Sequence, residues 1–185
     1  MSVVGLLDTI GRITRGNFED KTKEEREAAA REVILTASLA TAGLVLQPLP
    51  GLEHGAIPLQ VVMVIGLSRV FGEELSRKRA KAVLMDLAAA TGVNIAGRQA
   101  LTTLAKVVLP GLGGVLAAPA AFALTWATGH VAMHYFSAGG KLDRARLRAI
   151  FEQEKRRAKA HYSEGGARDA RPEARDVEDN DGPVG

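Results

Sequence analysis

Apolar residues recur along this chain at intervals of three and four, the spacing of α-helices, and nowhere alternate over a useful length as they do in strands. The periodic stretches cover roughly residues 22–46, 58–75, 77–90, 94–109, 114–136 and 142–162. Proline or glycine follows most of them, and both residues stop helices. The pattern predicts an all-α fold of about six helices.

Capping signals mark the ends of several of these helices. Thr22 followed by Glu25 is the pattern of a capping box, in which each side chain accepts a hydrogen bond from the backbone of the other residue. Ser76 is a favoured residue immediately before a helix, and Gly92 is a favoured residue immediately after one. Pro58 is favoured in a first helical turn.

The tetrapeptide Leu-Pro-Gly-Leu occurs at 49–52 and again at 109–112, each time between two apolar stretches. Proline cannot continue a helix, and glycine permits a left-handed turn. We therefore predict two helical hairpins bent at these L-P-G-L corners, although a helix-breaking tetrapeptide of this kind also recurs by chance.

The chain divides into three parts. Residues 1–20 form a predicted amphipathic N-terminal arm, residues 21–162 a single helical domain whose last helix is also amphipathic, and residues 163–185 an acidic tail. The tail carries a net charge of −4 and only two large aliphatic residues, so it cannot bury enough apolar surface to order itself. We expect the tail to be disordered.

The formal net charge of +3 hides a basic body, because the residues before the tail carry a net charge of +7. A basic surface fits an anionic partner such as lipid headgroups, RNA or an acidic protein face, whereas a solvated surface is the simpler interpretation. The residues that we expect to form a membrane or partner surface are Arg77, Lys78, Arg79, Lys81, Arg144, Arg146 and Arg148.

The segment from 107 to 140 contains no Asp, Glu, Lys or Arg over 34 residues. A helix of about 20 apolar residues crosses a bilayer, so residues 114–136 either span a membrane or form the core of a soluble bundle. No Lys or Arg closely follows either L-P-G-L corner, so two hairpins dipping into a bilayer would keep every basic segment on one side. This pattern favours the cytoplasmic face of an inner membrane over the cytoplasm.

Two stripes run along the segment 114–136. One consists of small residues that let a neighbouring helix approach closely, and we expect it to pack against another helix; its members are Ala117, Ala121, Thr125 and Gly129. The other consists of Phe122, Trp126, His130 and His134. The two histidines lie one turn apart, as metal ligands do, but the glutamate of the zinc-protease pattern H-E-x-x-H is missing. Two polar residues near a helix end are the simpler interpretation.

No residue pattern points to an enzyme. The chain has no cysteine, which excludes disulfides, thiolate metal sites and a cysteine nucleophile. Neither a phosphate-binding glycine motif nor a local signature of a serine-histidine-aspartate triad is present. Aromatic residues make up only 4% of the chain, which argues against stacking on single-stranded nucleic acid. We expect no catalytic residue, no cofactor, no metal and no specific nucleic-acid partner.

Four segments follow one another along the chain: PLPG at 48–51, PLQVVMVI at 58–65, FGEELS at 71–76 with a basic helix after it, and LPGLG at 109–113 with a small-residue helix to Phe136. Their order is more specific than any one of these segments. In this order the chain resembles the YcjF-like, GTPase-associated family of bacterial proteins of unknown function, over about half of its length. The resemblance implies a helical module at the inner membrane that interacts with a GTPase. That GTPase would act in trans, since its domain is absent from this sequence.

Two functions from different classes follow. The first is a non-enzymatic, membrane-associated helical module that binds an anionic membrane surface and a GTPase or other protein partner. The alternative is a soluble helical interaction or scaffold protein whose small-residue helices form a homo-oligomeric core.

Overall fold

The computed structural model describes residues 10–12, 16, 18–46, 56–93 and 113–169. These residues form five long helices, α1 (Lys23–Leu46), α2 (Ala56–Val70), α3 (Arg77–Thr91), α4 (Gly113–Ser137) and α5 (Arg144–Asp169). The described part of the chain contains no strand, and the prediction of an all-α fold is confirmed. Both L-P-G-L corners, the predicted helix at 94–109 and the end of the tail at 170–185 lie outside the described residues.

The first long helix, α1, begins at the capping box that the sequence predicts. The Thr22 backbone N–H donates to Glu25 Oε2 over 2.8 Å, and the Glu25 backbone N–H donates to Thr22 Oγ1 over 3.2 Å. The bond from the Thr22 backbone and a second from the Lys21 side chain lower the pKa of Glu25. The predicted end of this helix near Leu46 is also confirmed.

Glycines in the left-handed region close α2 and α3. Gly72 has φ +82° and follows α2, where the N–H of Glu73 donates to the carbonyl of Ser68 over 2.8 Å. This closure ends α2 at Val70, so the prediction of a helix to residue 75 is wrong. Gly92 closes α3 as predicted, with φ +77°. Positive φ suits glycine because it has no Cβ to clash with the backbone.

The last helix, α5, begins at Arg144, two residues later than predicted. Asp143 precedes it, and its Oδ1 accepts from the backbone N–H of Arg146 over 2.8 Å, which satisfies one donor of the first turn. The helix continues to Asp169, so its backbone includes residues 163–169 of the predicted tail.

Replacing Asp143 with alanine should destabilise the protein by about 1 kcal/mol, because the first turn of α5 loses this acceptor. Urea unfolding followed by circular dichroism measures the change. Asp143→Asn keeps a side-chain oxygen at the same position, so its free energy of unfolding should fall by only a few tenths of a kcal/mol, about the cost of a well-tolerated cap substitution. Equal losses in the two variants would contradict the assignment of the effect to the hydrogen bond.

Helix α4 lies at the centre of the bundle and contacts α1, α2, α3 and α5. Its residues 125–133 are all buried. Helix α2 runs parallel to α4, because Gln60 contacts Thr125 and Met63 lies beside Gly129 one turn further along both helices. Helix α5 follows α4 through the short connection 138–143 and runs antiparallel to it. The core therefore surrounds α4, whose uncharged sequence allows burial on every side.

The segment before α1 contributes to this core. Ile10 is only 1% exposed, and Phe18 packs against the same cluster of buried side chains. Ile10 and Phe18 of the predicted arm 1–20 therefore belong to the packing of the domain.

Candidate functional site

The predicted basic residues lie on two neighbouring helices. Helices α3 and α5 pack against each other, and all seven residues are exposed. Helix α2 runs parallel to α4 and ends at Val70, and the connection 71–76 is short, so the start of α3 lies near the end of α4. Thr91 at the other end of α3 lines one cavity with Ala120 and Ala123 in the first half of α4. Helix α3 therefore runs antiparallel to α4 and parallel to α5. The starts of α3 and α5 consequently lie at the same end of the bundle. We call this surface the basic face: Arg77, Lys78, Arg79, Lys81, Arg144, Arg146 and Arg148.

The N-terminus of α3 reinforces the charge of the basic face. The N-terminus of a helix carries a partial positive charge that acidic residues usually complement. Neither α3 nor α5 has an acidic residue in its first turn. Ser76 caps α3 with a neutral hydroxyl, whereas the carboxylate of Asp143 caps α5 and offsets the positive end of that helix. The positive end of α3 and the seven basic side chains therefore contribute to the surface potential, and Asp143 reduces it.

The basic residues at the start of α1 differ, because glutamates accompany them. Lys21 Nζ lies 3.1 Å from Glu25 Oε1, and Arg31 Nη1 lies 3.5 Å from Glu27 Oε2. Lys23 Nζ reaches the other oxygen of Glu27 at 4.0 Å. This surface is therefore locally balanced in charge.

The small-residue stripe meets other helices over only half its length. Gly129 is buried, and a Cβ built on it would lie 2.8 Å from Cγ1 of Ile34 on α1. Thr125 is fully buried, and its Oγ1 accepts from Gln60 Nε2 of α2 over 3.2 Å. Ala117 and Ala121 are only partly buried. The close approach of helices is thus concentrated at Gly129.

A buried polar cluster joins α4 to α5. Glu154 is 7% exposed, and its Oε2 accepts from Trp126 Nε1 over 3.2 Å while its Oε1 accepts from Arg157 Nη1 over 3.0 Å. His130 and His161 pack on the indole of Trp126, with ring centroids 4.7 Å and 4.3 Å away. We call Trp126, His130, Glu154 and Arg157 the α4–α5 cluster.

The sequence pattern predicted an amphipathic last helix, which is α5, but did not single out Glu154. A signal was present, because Glu154 is seven residues after Leu147 and four after Ile150, on the same helical face. An acidic residue at such a position is a candidate for a buried, paired carboxylate.

His130 is the unusual member of the cluster. Its Nε2 is buried without a hydrogen-bond partner and lies 3.9 Å from Glu154 Oε2. Burial lowers the pKa of His130 to about 4, although the nearby carboxylate of Glu154 opposes the shift. His134, one turn further on, is exposed, and partial burial lowers its pKa as well. The two histidines of the sequence pattern therefore occupy different environments.

A shallow cavity of about 350 Å³ lies between the end of α3, the first half of α4 and α5. Its walls are mainly small or apolar, including Ala120, Ala123 and Phe151. Its charged side chains, Glu152 and Lys155, lie 3.6 Å from each other. In the described ranges, no group of three or more His, Cys, Asp or Glu side chains is placed to hold a metal ion.

One helix among the described residues is long and apolar enough to cross a membrane, and it is Lys23–Val45 rather than the segment 114–136. Of its most apolar stretch, 56% is buried inside the protein. The segment 114–136 belongs to α4, which contacts four other helices.

Comparison with protein-family models, with curated proteins and with solved structures finds no match for this chain.

Proposed function

We propose that this protein is a non-enzymatic helical module that binds an anionic membrane surface through its basic face and works with a GTPase in trans. The observation that carries the membrane part is the convergence of α3 and α5, which brings two separate basic segments of the sequence onto one end of the bundle. Such a surface is attracted to the anionic lipids of the cytoplasmic leaflet.

The burial of the apolar helices supports attachment at the surface rather than insertion of α4. Met85, at 45%, is the one exposed large hydrophobic residue among the side chains whose exposure the structure describes. Binding would therefore depend chiefly on charge and weaken with salt, because exposed charges are screened over about 10 Å at 0.1 M ionic strength.

Neutralising Arg144, Arg146 and Arg148 with glutamine tests the membrane part. Each basic residue near an anionic surface contributes about 1 kcal/mol, so the triple variant should bind vesicles of phosphatidylserine and phosphatidylcholine about a hundredfold more weakly. Co-sedimentation with vesicles at low salt measures this. Vesicles of phosphatidylcholine alone are the lipid control.

The matched control is a triple variant in which Lys21, Lys23 and Arg31 become glutamine. It changes the net charge by the same amount, but on a surface where each cation lies near a glutamate. We expect a much smaller loss of binding. Equal losses in the two triple variants, or no binding by the unaltered protein, would contradict a role for the basic face.

The GTPase part rests on the resemblance of residues 48–135 to the YcjF-like family. Purification of the tagged full chain from cells, with nucleotide-loaded and nucleotide-free washes, tests it. The expected result is a GTPase that co-purifies in one of the two conditions and not in the other. The absence of a GTPase from both purified samples would contradict the GTPase part of the proposal alone.

The second candidate is a soluble helical scaffold in the cytoplasm, with homo-oligomerisation through helix packing. The burial of α1 and of the centre of α4 favours it. This function would be supported instead if the protein does not bind anionic vesicles and light scattering shows a defined oligomer.

A further inference from the structure

The acidic part of the chain begins at the end of the bundle that lies opposite the basic face. Helix α5 begins at Arg144, within that face, and ends at Asp169, after which the chain continues to Gly185. Four of the six residues from 176 to 181 are acidic, and none of the six is basic. Helix α5 and the segment after it therefore carry clustered charges of opposite sign on one continuous piece of chain.

Basic side chains follow one side of α5 from its start toward its middle. Arg144, Arg148 and Lys155 are exposed, and their separations of four and seven residues place them on the same side of the helix. Lys155 also borders the shallow cavity between α3, α4 and α5. Its Nζ lies 3.6 Å from Glu152 Oε2, but both side chains are nearly half exposed, so this ion pair is weak. We call Arg144, Arg148 and Lys155 the basic row of α5.

The chain beyond α5 is long enough to return along the helix to the basic row. A helix rises about 1.5 Å per residue, so Lys155 and Arg148 lie about 21 Å and about 32 Å back from Asp169. An extended chain spans about 3.4 Å per residue, so Asp176 can reach about 24 Å from the end of α5 and Asp179 about 34 Å. The two acidic residues can therefore reach the two basic ones.

The spacing of the acidic residues matches the spacing of the basic row. Asp176 and Asp179 are about 10 Å apart in an extended chain, and Lys155 and Arg148 are also about 10 Å apart along α5. Asp181 would then lie level with the start of the helix. The acidic segment and the basic row therefore match in charge, in reach and in spacing.

We propose that residues 176–181 bind the basic row of α5 in the same molecule and compete there with an anionic membrane. Arg144 and Arg148 belong both to the basic row and to the basic face, so one occupant excludes the other. Two glycines at 165–166 make the last turns of α5 inexpensive to unwind, which lengthens the reach of the segment. Its tether gives it a high effective concentration, which favours a contact within one molecule. The competition rests on the proposed membrane function, whereas the contact itself does not.

A spin label tests the contact without a membrane. The chain has no cysteine, so Asn180→Cys in the full-length protein provides a single attachment site. At low salt the label should broaden the amide resonances of residues 144–155, and high salt should reduce the effect, because exposed charges are then screened. Mixing labelled protein with isotope-enriched protein that lacks the label measures contact between molecules, and we expect no broadening in that mixture.

Two triple variants with the same change in net charge identify the acidic residues that act. The distal variant consists of Asp176→Asn, Asp179→Asn and Asp181→Asn. The proximal variant consists of Glu164→Gln, Asp169→Asn and Glu173→Gln. Glu173 reaches only about 14 Å beyond α5, which is too short for Lys155. The distal variant should lose the broadening of residues 144–155, and the proximal variant should keep it.

Vesicle binding tests the competition. The distal variant should bind phosphatidylserine vesicles about fivefold more tightly than the unaltered protein, the effect of a few weak exposed ion pairs, and the proximal variant should bind almost as the unaltered protein does. Amides of residues 144–155 that do not respond to the label, or that respond only between molecules, would overturn the contact. Equal gains in the two variants would overturn the competition. Broadening without vesicle binding by any of the proteins would support the contact and overturn the proposed membrane function.

Discussion

Gly129→Leu should destabilise the bundle by about 3 kcal/mol, at the upper end of the usual cost of overpacking a core. A Cβ at this position would lie 2.8 Å and 2.9 Å from the two γ-carbons of Ile34 and 3.0 Å from Sδ of Met63. Both neighbours are fully buried. Ile34 is β-branched and has one strongly preferred rotamer in a helix, so it cannot turn aside. Chemical denaturation measures the loss.

Gly43 in α1 is the matched control for Gly129. A Cβ built on Gly43 would meet no atom within 4 Å, and its φ is not positive. Gly43→Ala should therefore stabilise the protein by about 0.5–1 kcal/mol, the ordinary gain for alanine over glycine in a helix. Ala121→Leu, on the partly buried half of the stripe, should cost less than Gly129→Leu. Equal costs at Ala121 and Gly129 would contradict the close approach at Gly129.

Phe122→Ala should cost about 3–5 kcal/mol, the usual loss for a buried phenylalanine. Phe122 is fully buried between α4 and α5. Its ring stacks on Trp126 with centroids 5.8 Å apart and meets the edge of Tyr162 at 5.3 Å. Alanine would leave a cavity beside the single tryptophan, so the emission of Trp126 should also shift. Thermal unfolding by calorimetry and fluorescence measures both effects.

Met85→Ala is the control for loss of a large apolar side chain. Met85 is 45% exposed, so its truncation should change stability by no more than about 0.5 kcal/mol and leave the tryptophan emission unchanged. Phe122→Leu, which keeps much of the volume, should lose about 1–1.5 kcal/mol. A cost for Phe122→Ala as small as that for Met85→Ala would contradict the packing of α5 on α4.

The sequence predicted features that depend on neighbours along the chain. The capping box of Thr22 and Glu25 forms as expected, as do the helix start at Ser76 and the stop at Gly92. Each of these involves hydrogen bonds between residues at most five positions apart, so a short stretch of sequence contains both partners. Where the apolar pattern alone was used, as for the end of α2, the prediction missed the closure at Gly72.

The candidate surface was predicted as a list of residues and not as a site. Both basic segments were identified, but the sequence did not show that α3 and α5 are neighbours and run parallel. Helix direction and neighbours depend on which apolar faces meet, and α2, α3 and α5 all offer an apolar face to α4. The combined electrostatic potential of the two basic segments therefore depends on how the helices pack, which the sequence did not show.

The sequence by itself determined that the chain is helical, where most helices start and stop, and that residues 113–140 carry no charge, because periodicity, caps and composition act locally. Tertiary structure alone decided that Gly129 meets Ile34, that the exposed ends of α3 and α5 lie together, and that Glu154 is buried beside Trp126 and His130. The partners in each of these contacts are far apart in sequence, and the environment that sets the pKa of His130 exists only once α4 and α5 have packed.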